Sequence, residues 1–292
     1  MNFLTNYMTD SILRHKLNAL TQKTFYFDFE SWVTKGYFQG DYIPYSFEND
    51  GEIISNVSAN IMKFNQNGCD KTYIQIGTVM TDQAHRNKGL ASKLMKTVID
   101  EYKDKCDGIY LFGDLGAVDF YKKLGFNVAT EHAYSVKTDI LKDLERGNSF
   151  KKLDVKDEKL KEKYLSFAKS SAISSAFEQT NKFGLQLFYT SDFENVYYSQ
   201  KLDCFIVAEI ENEIINLQSV LYQNYIPLEK VISEIGEEYK SIKLGFVPLK
   251  ADAEICNREP YDGGDDYRLF YYGSQLEKIE TEKLYFPALS HA

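Results

Sequence analysis

At 292 residues the chain is long for one domain, and two domains are the expectation. A hydrophobic content of 43% supports sizeable cores, while a net charge of −9 argues against nucleic acid or an anionic membrane as a partner. Cys69, Cys106, Cys204 and Cys256 are widely spaced and the four histidines show no metal-ligand spacing, so no metal is expected and the thiols read as reduced, in a cytoplasmic protein.

The amino terminus lacks the basic and apolar runs of a signal peptide, and no stretch approaches the length of a membrane span. Ile12, Leu13, Leu17 and Leu20 recur at helical spacing and predict a helix over 8–22. The aromatic-dense run from Phe25 to Val33 predicts a second short helix folded over an apolar site. Strands follow at 41–47 and 52–64, joined by the hairpin turn Glu48-Asn49-Asp50-Gly51. Residues 73–81 alternate as a strand, 82–88 form a polar turn, and a helix opens at Gly89 with Leu90, Leu94, Val98 and Tyr102 on one stripe. Such a turn aims unpaired backbone N–H groups and the positive end of the helix dipole at one point, an anion site. Gly89 permits close approach of a phosphate, and Arg86 and Lys88 add positive charge.

A strand at 109–112, a turn at 113–116 and a helix at 117–124 come next, and 126–129 with 134–136 read as a final hairpin. A charged linker spans 140–150. The second unit reads as a strand at 150–155, a helix at 157–169, a hairpin of 203–211 with 214–222, a helix at 227–235 and a strand at 241–247. A loop at 249–266 and short strands at 267–272 and 283–286 end it. The order strand, helix, strand at 73–113 recurs at 214–247, but Tyr222 to Pro227 offers neither glycine nor basic residue where the first copy has its turn. The expected domains are therefore 1–145 and 146–292, only the first able to hold phosphate.

Two motifs carry a resemblance. Val79 to Ala91, with its Arg86-x-x-Gly89-x-Ala91 core, resembles motif A of the GNAT N-acetyltransferases, and Ala117 to Phe126 resembles their motif B. The match covers about residues 40 to 137, and the second half resembles the degenerate copy of tandem members. The fold it implies is an α/β (α+β), mostly antiparallel sheet flanked by helices, with a second degenerate domain of the same kind.

The function it implies is acetyl transfer from acetyl-CoA to the primary amine of a small molecule or peptide. A non-catalytic acyl-CoA-binding sensor module is the alternative. Backbone groups near Val79, Met80 and Thr81 would hold the pantetheine arm, and amides from Asn87, Lys88, Gly89, Leu90, Ala91 and Ser92, beside Arg86, the pyrophosphate. Phe120 and Asp114 would border the cofactor, with Asp114 where many members have Asn. Tyr121 would be the general acid to the CoA thiolate, against its reading as a core aromatic beside Phe120. Glu30 and Asp28 are candidate bases, with Asp82 and His85 less favoured, and each carboxylate has a solvated-surface alternative. The apolar tail from Tyr285 to Ala292 suggests that His291 or the terminal carboxylate reaches the acceptor side, against simple docking between domains. The acceptor is left open, as is the oligomeric state, a homodimer being one option.

Overall fold

Asp10 starts the first helix by accepting hydrogen bonds from the Ile12 and Leu13 amides. The structure, a computed structural model, describes residues 1–236, 239–274 and 276–292. Strand β1 (Asn2–Thr5) precedes α1 (Ser11–Phe25), which ends where Tyr26 turns left-handed. The aromatic run yields only the short α2 (Glu30–Thr34). Strands β2 (Tyr42–Asn49), β3 (Glu52–Gln66) and β4 (Cys69–Thr81) form a meander. Asp50-Gly51 and Asn67-Gly68 make its turns, all four at positive φ, which matches the twist of two-residue hairpins. Helix α3 (Leu90–Tyr102) buries Leu94, Met95, Val98 and Ile99 against this sheet, each contributing about 1.5–3 kcal/mol by area.

The chain continues through β5 (Gly108–Gly113), α4 (Val118–Lys123), β6 (Phe126–Ala129), β7 (Glu131–Val136) and α5 (Thr138–Asp143). The second half holds β8 (Phe150–Lys152), α6 (Glu158–Ser170), β9 (Phe177–Gln179), α7 (Phe183–Thr190), β10 (Val196–Ser199), β11 (Cys204–Glu211) and β12 (Ile214–Tyr222). It closes with α8 (Leu228–Ser233), β13 (Ser241–Leu244), β14 (Cys256–Tyr261), β15 (Arg268–Tyr272) and α9 (Lys278–Thr281). Two mostly antiparallel sheets result, flanked by helices as expected. One has the order β1-β2-β3-β4-β5-β15-β6 with β9 against β3, and the other β14-β7-β13-β12-β11-β10-β8.

The expected hairpin of 126–129 with 134–136 does not form. Only Thr130 separates β6 from β7, too few residues for a hairpin turn, so β7 crosses to the second sheet between β13 and β14. Strand β15 fills the gap between β5 and β6. Sheet membership therefore crosses residue 145 in both directions. The expected loop at 249–266 contains β14, and 283–286 is not a strand. Among the described residues the parallel pairs are β4 with β5 and β12 with β13, each joined through a helix, in line with the repeated element order.

The carboxyl-terminal segment straps the halves together. Leu284 accepts from the His132 amide at 2.9 Å, and the Glu131 carboxylate accepts from the Phe286 amide at 2.9 Å. Phe286 stacks on Tyr110 at 4.1 Å. Past it, the Ala288 amide donates to Gly245 at 2.8 Å, so the strap runs beside the end of β13, where β12 continues with β11 as its partner. No described helix is long and apolar enough to cross a membrane.

Candidate active site

Strands β4 and β5 pair only from Tyr73–Gly108 to Gln75–Tyr110. Beyond that point β4 runs on to Thr81 and β5 to Gly113 as the two arms of a V. A bulge in β4 helps to open it. The register with β3 jumps from Ser58–Gly77 to Asn56–Met80, and Thr78 takes a positive φ of 41°. Such a conformation costs on the order of 1–3 kcal/mol and persists only when the surroundings enforce it. Here the Asn56 amide donates to the Thr78 carbonyl and hydroxyl oxygens, both at 3.1 Å. The Thr78 hydroxyl donates to Ser58 at 2.9 Å and lies 2.8 Å from the Tyr42 hydroxyl. The buried Ser46 hydroxyl donates to Asn56 and lies 2.6 Å from the Tyr7 hydroxyl.

Each arm of the V carries a glycine whose missing side chain leaves room for a functional group. A Cβ at Gly113 would lie 2.5 Å from the Tyr121 ring. A Cβ at Gly77 would lie 2.5 Å from the carboxyl oxygen of Ala292. Tyr121 from α4 and Ala292 from the chain's end thus share one cavity of about 290 Å³. Tyr121 packs on Phe270 at 4.9 Å and on Phe120 at 5.1 Å. Burial, with Asp114 nearby, pushes its hydroxyl up to about 12, so it stays protonated at neutral pH. Asp114 itself is exposed at the cavity rim.

His291 forms part of the cavity wall. Its ring stacks on Phe112 at 3.7 Å, and the Tyr189 hydroxyl donates to its carbonyl oxygen. Loss of water pushes the imidazole down to about 4, which keeps it neutral, and its buried Nε2 has no hydrogen-bond partner among the described residues.

At the other end of the V, Asn87 and Gly89 take positive φ values of 63° and 72° and lead into α3. The first intrahelical bond is Lys93 to Gly89, so the amides of Leu90, Ala91 and Ser92 precede it and face outward from the helix end. Nothing lies within 4 Å of a Cβ built at Gly89. Arg86 and Lys88 are exposed and fold back on the turn, donating to the Thr81 and Ala84 carbonyls. This exposed cradle has the donors and charge that a pyrophosphate needs. Val79 lines the cavity, while Met80 is buried towards α1 and α2 and Thr81 shares a hydroxyl contact with Ser55.

Glu30 is not on the cavity wall. It forms a two-pronged ion pair with Arg14, with both contacts at 2.9 Å, and accepts from Asn18 at 3.2 Å. The Arg14 guanidinium holds its carboxyl below the usual range, so it ties α2 to α1 and is not placed as a base. Asp28 accepts from the Glu30 amide at 2.9 Å just before α2, and Asp82 caps the turn at Gln83–His85. Among the described residues no cluster of three or more acidic, His or Cys side chains could hold a metal.

The side of the cavity away from the V was not legible in the sequence. Helix α7 supplies Phe188 and Tyr189 there, opposite rings from the α1–α2 region. Trp32 donates its indole N–H to the Gly184 carbonyl at 2.7 Å and so pins α7 to α2.

The sequence matches the Acetyltransferase (GNAT) family over residues 7–126. No curated protein matches the chain. Among solved structures, it is similar to a probable N-acyltransferase of Enterococcus faecalis, with TM-score 0.55 and 17% identity over 95% of this chain and 74% of that one. It is also similar to a GCN5-related N-acetyltransferase of Kribbella flavida, with TM-score 0.55 and 15% identity over 92% and 70%. Another of that type, from Anabaena variabilis, gives TM-score 0.54 and 12% identity over 92% and 72%. These likenesses extend the shared fold across both halves of the chain. With the family match over the part that holds the V and the helix-start cradle, the chain carries a GNAT acetyltransferase domain at residues 7–126 and is an acyltransferase that takes its acyl group from acyl-CoA.

Proposed function

We propose that the protein transfers an acetyl group from acetyl-CoA to a primary amine by direct attack. In this reading the turn from Arg86 to Ser92 holds the pyrophosphate and the bulged strand near Val79 to Thr81 lines the pantetheine arm. The observation that carries it is the presence of Tyr121 and the Ala292 carboxylate in one cavity, against the two glycines of the V.

The acceptor arrives as an ammonium ion. It pairs with the Ala292 carboxylate and gives up a proton there or to a water beside it. The neutral amine attacks the thioester carbon, forming the C–N bond. As the C–S bond breaks, its electron pair goes to sulfur and Tyr121 donates its proton to the thiolate. The attack leaves a positively charged nitrogen, which gives up a second proton as the adduct collapses; Tyr121 recovers a proton equivalent to that one through solvent, and the first proton passes from the Ala292 carboxylate to bulk water. The carboxylate suits the base role better than His291, because it offers the incoming ammonium an opposite charge and an imidazole kept neutral by burial does not.

In the proposal the first half supplies the phosphate-binding turn and Tyr121, the end of the second half supplies the Ala292 carboxylate, and the second half is a degenerate copy lacking the phosphate-binding turn. The strap at Ala288 occupies the space that would be the second copy's slot. The test is Tyr121→Phe. Acetyl-CoA binding by calorimetry should stay near normal while turnover falls on the order of 10²-fold or more, as for loss of a general acid. Full turnover would remove Tyr121 from the mechanism.

A further inference from the structure

The cavity continues past Ala292 into a chamber walled by rings. Phe25 comes from the end of α1, Phe27 and Phe29 from the segment between α1 and α2, Trp32 from α2, and Phe188 and Tyr189 from α7. Phe27 meets Phe29 at 5.3 Å and Phe188 at 5.4 Å, both edge to face. These are not all core residues. Phe25 is 40% exposed and Tyr189 44%, so the rings form an open mouth. Apart from Asp114 at the V, the acidic side chain on the wall is Asp41, at the start of β2. Asn181 bonds to it, and burial raises its pKa while Lys63 lowers it. Asn181 is itself fixed on β3 by donating to the Ile61 carbonyl at 2.8 Å and accepting from the Lys63 amide at 2.9 Å.

This combination selects against polycations. With the Ala292 carboxylate taken by the reacting amine, Asp114 exposed at the V, and the Tyr42, Thr78 and Tyr189 hydroxyls already bonded within the protein, Asp41 is left to meet one further charge, and the rings desolvate any others without pairing them. The volume of about 290 Å³ also includes the acetyl end of the donor, and small-molecule sites span roughly 300–1,000 Å³. Rings arranged edge to face instead favour a flat apolar body, and their faces tolerate a single ammonium.

We infer that the acceptor is a primary amine carried on an aromatic or similarly flat apolar body, whose far end bears a hydrogen-bond donor that meets Asp41. This rests on the acetyltransferase reading above. The second half then has a direct task, since α7 supplies one wall of the acceptor site.

The experiment is a kinetic comparison of 2-phenylethylamine and tyramine with spermidine, kanamycin and a lysine peptide, run beside acetyl-CoA binding by calorimetry. The expected result is kcat/KM at least tenfold higher for the two arylalkylamines. Phe188→Leu and Phe25→Ala should each lower it several-fold for these acceptors without changing KM for acetyl-CoA, and Phe25 is exposed enough that its truncation spares the fold. Asp41→Asn should weaken tyramine more than 2-phenylethylamine. Preference for a polycation or peptide overturns the inference, as does an arylalkylamine rate that neither ring variant changes. If acetyl-CoA binds and no amine is acetylated, the acceptor assignment fails while the donor site stands. If acetyl-CoA does not bind, the underlying reading fails and this inference with it.

Discussion

The carboxyl group of Ala292 lies directly over the Cα of Gly77, so close that a Cβ there would fall 2.5 Å from its oxygen and 2.8 Å from its carbon. The last residue of the second half is thus seated on the bulged strand of the first. Gly77→Ala should displace the carboxylate by about an ångström. A misplacement of that size in a reacting constellation costs on the order of 10²-fold in rate. The expected outcome is a fall of that order in kcat with acetyl-CoA affinity kept, read by CoA release and calorimetry. Unchanged kcat would show that the terminus takes no part.

The Thr78 bulge depends on Asn56. Asn56→Ala leaves Thr78 short of its donor inside a buried network and should cost about 1–3 kcal/mol of stability. Because the bulge helps to shape the V, acetyl-CoA binding should weaken as well. Denaturant titration and calorimetry on the same variant check both, and Ser191→Ala, outside the network, serves as the comparison.

Gly89 tests the phosphate cradle. Its φ of 72° strains any other residue, though a Cβ there meets nothing. Gly89→Val should therefore cost folding about 1–3 kcal/mol, yet raise KM for acetyl-CoA tenfold or more. An unchanged KM would place the pyrophosphate elsewhere.

Glu131 gives a pH-dependent signature. It is buried, and loss of water pushes its carboxyl up to about 8 from an ordinary 4.5, against hydrogen bonds from the Phe286 amide and the Tyr267 hydroxyl. Between those values the unfolded chain has released the proton while the folded protein keeps it. Its contribution to stability is therefore full below pH 4.5 and falls as pH rises towards 8. Glu131→Gln should flatten that slope in denaturant titrations across the window. A slope identical to that of the parent protein would mean that Glu131 is not held protonated.

Particular residues show what the sequence could disclose. The turn from Arg86 to Ala91 and the helix around Tyr121 are local patterns, and both were placed correctly as elements. Helix α7, Phe-Gly-Leu-Gln-Leu-Phe-Tyr-Thr, is apolar on most sides and carries no periodic signal, so its side of the ring wall went unseen. The exchange of β7 and β15 was hidden because alternation marks a strand without naming its partner. The ion pair of Glu30 with Arg14 was hidden for a similar reason, since it joins two elements and leaves no local trace. The apolar tail announced that it docks, but not that Ala292 would meet Gly77. Truncation is also clearer in the structure. Removing the last four residues would take Leu289 out of a core, whereas removing Ala292 alone leaves that packing intact.

That shorter deletion is the most direct test of the central claim. Acetyl transfer to an amine should be measured for the full chain and for a chain ending at His291, with acetyl-CoA affinity recorded for both. The account predicts equal acetyl-CoA affinity and a kcat lower by roughly 10²-fold, the cost of losing a positioned proton acceptor. Equal kcat in the two proteins would contradict it.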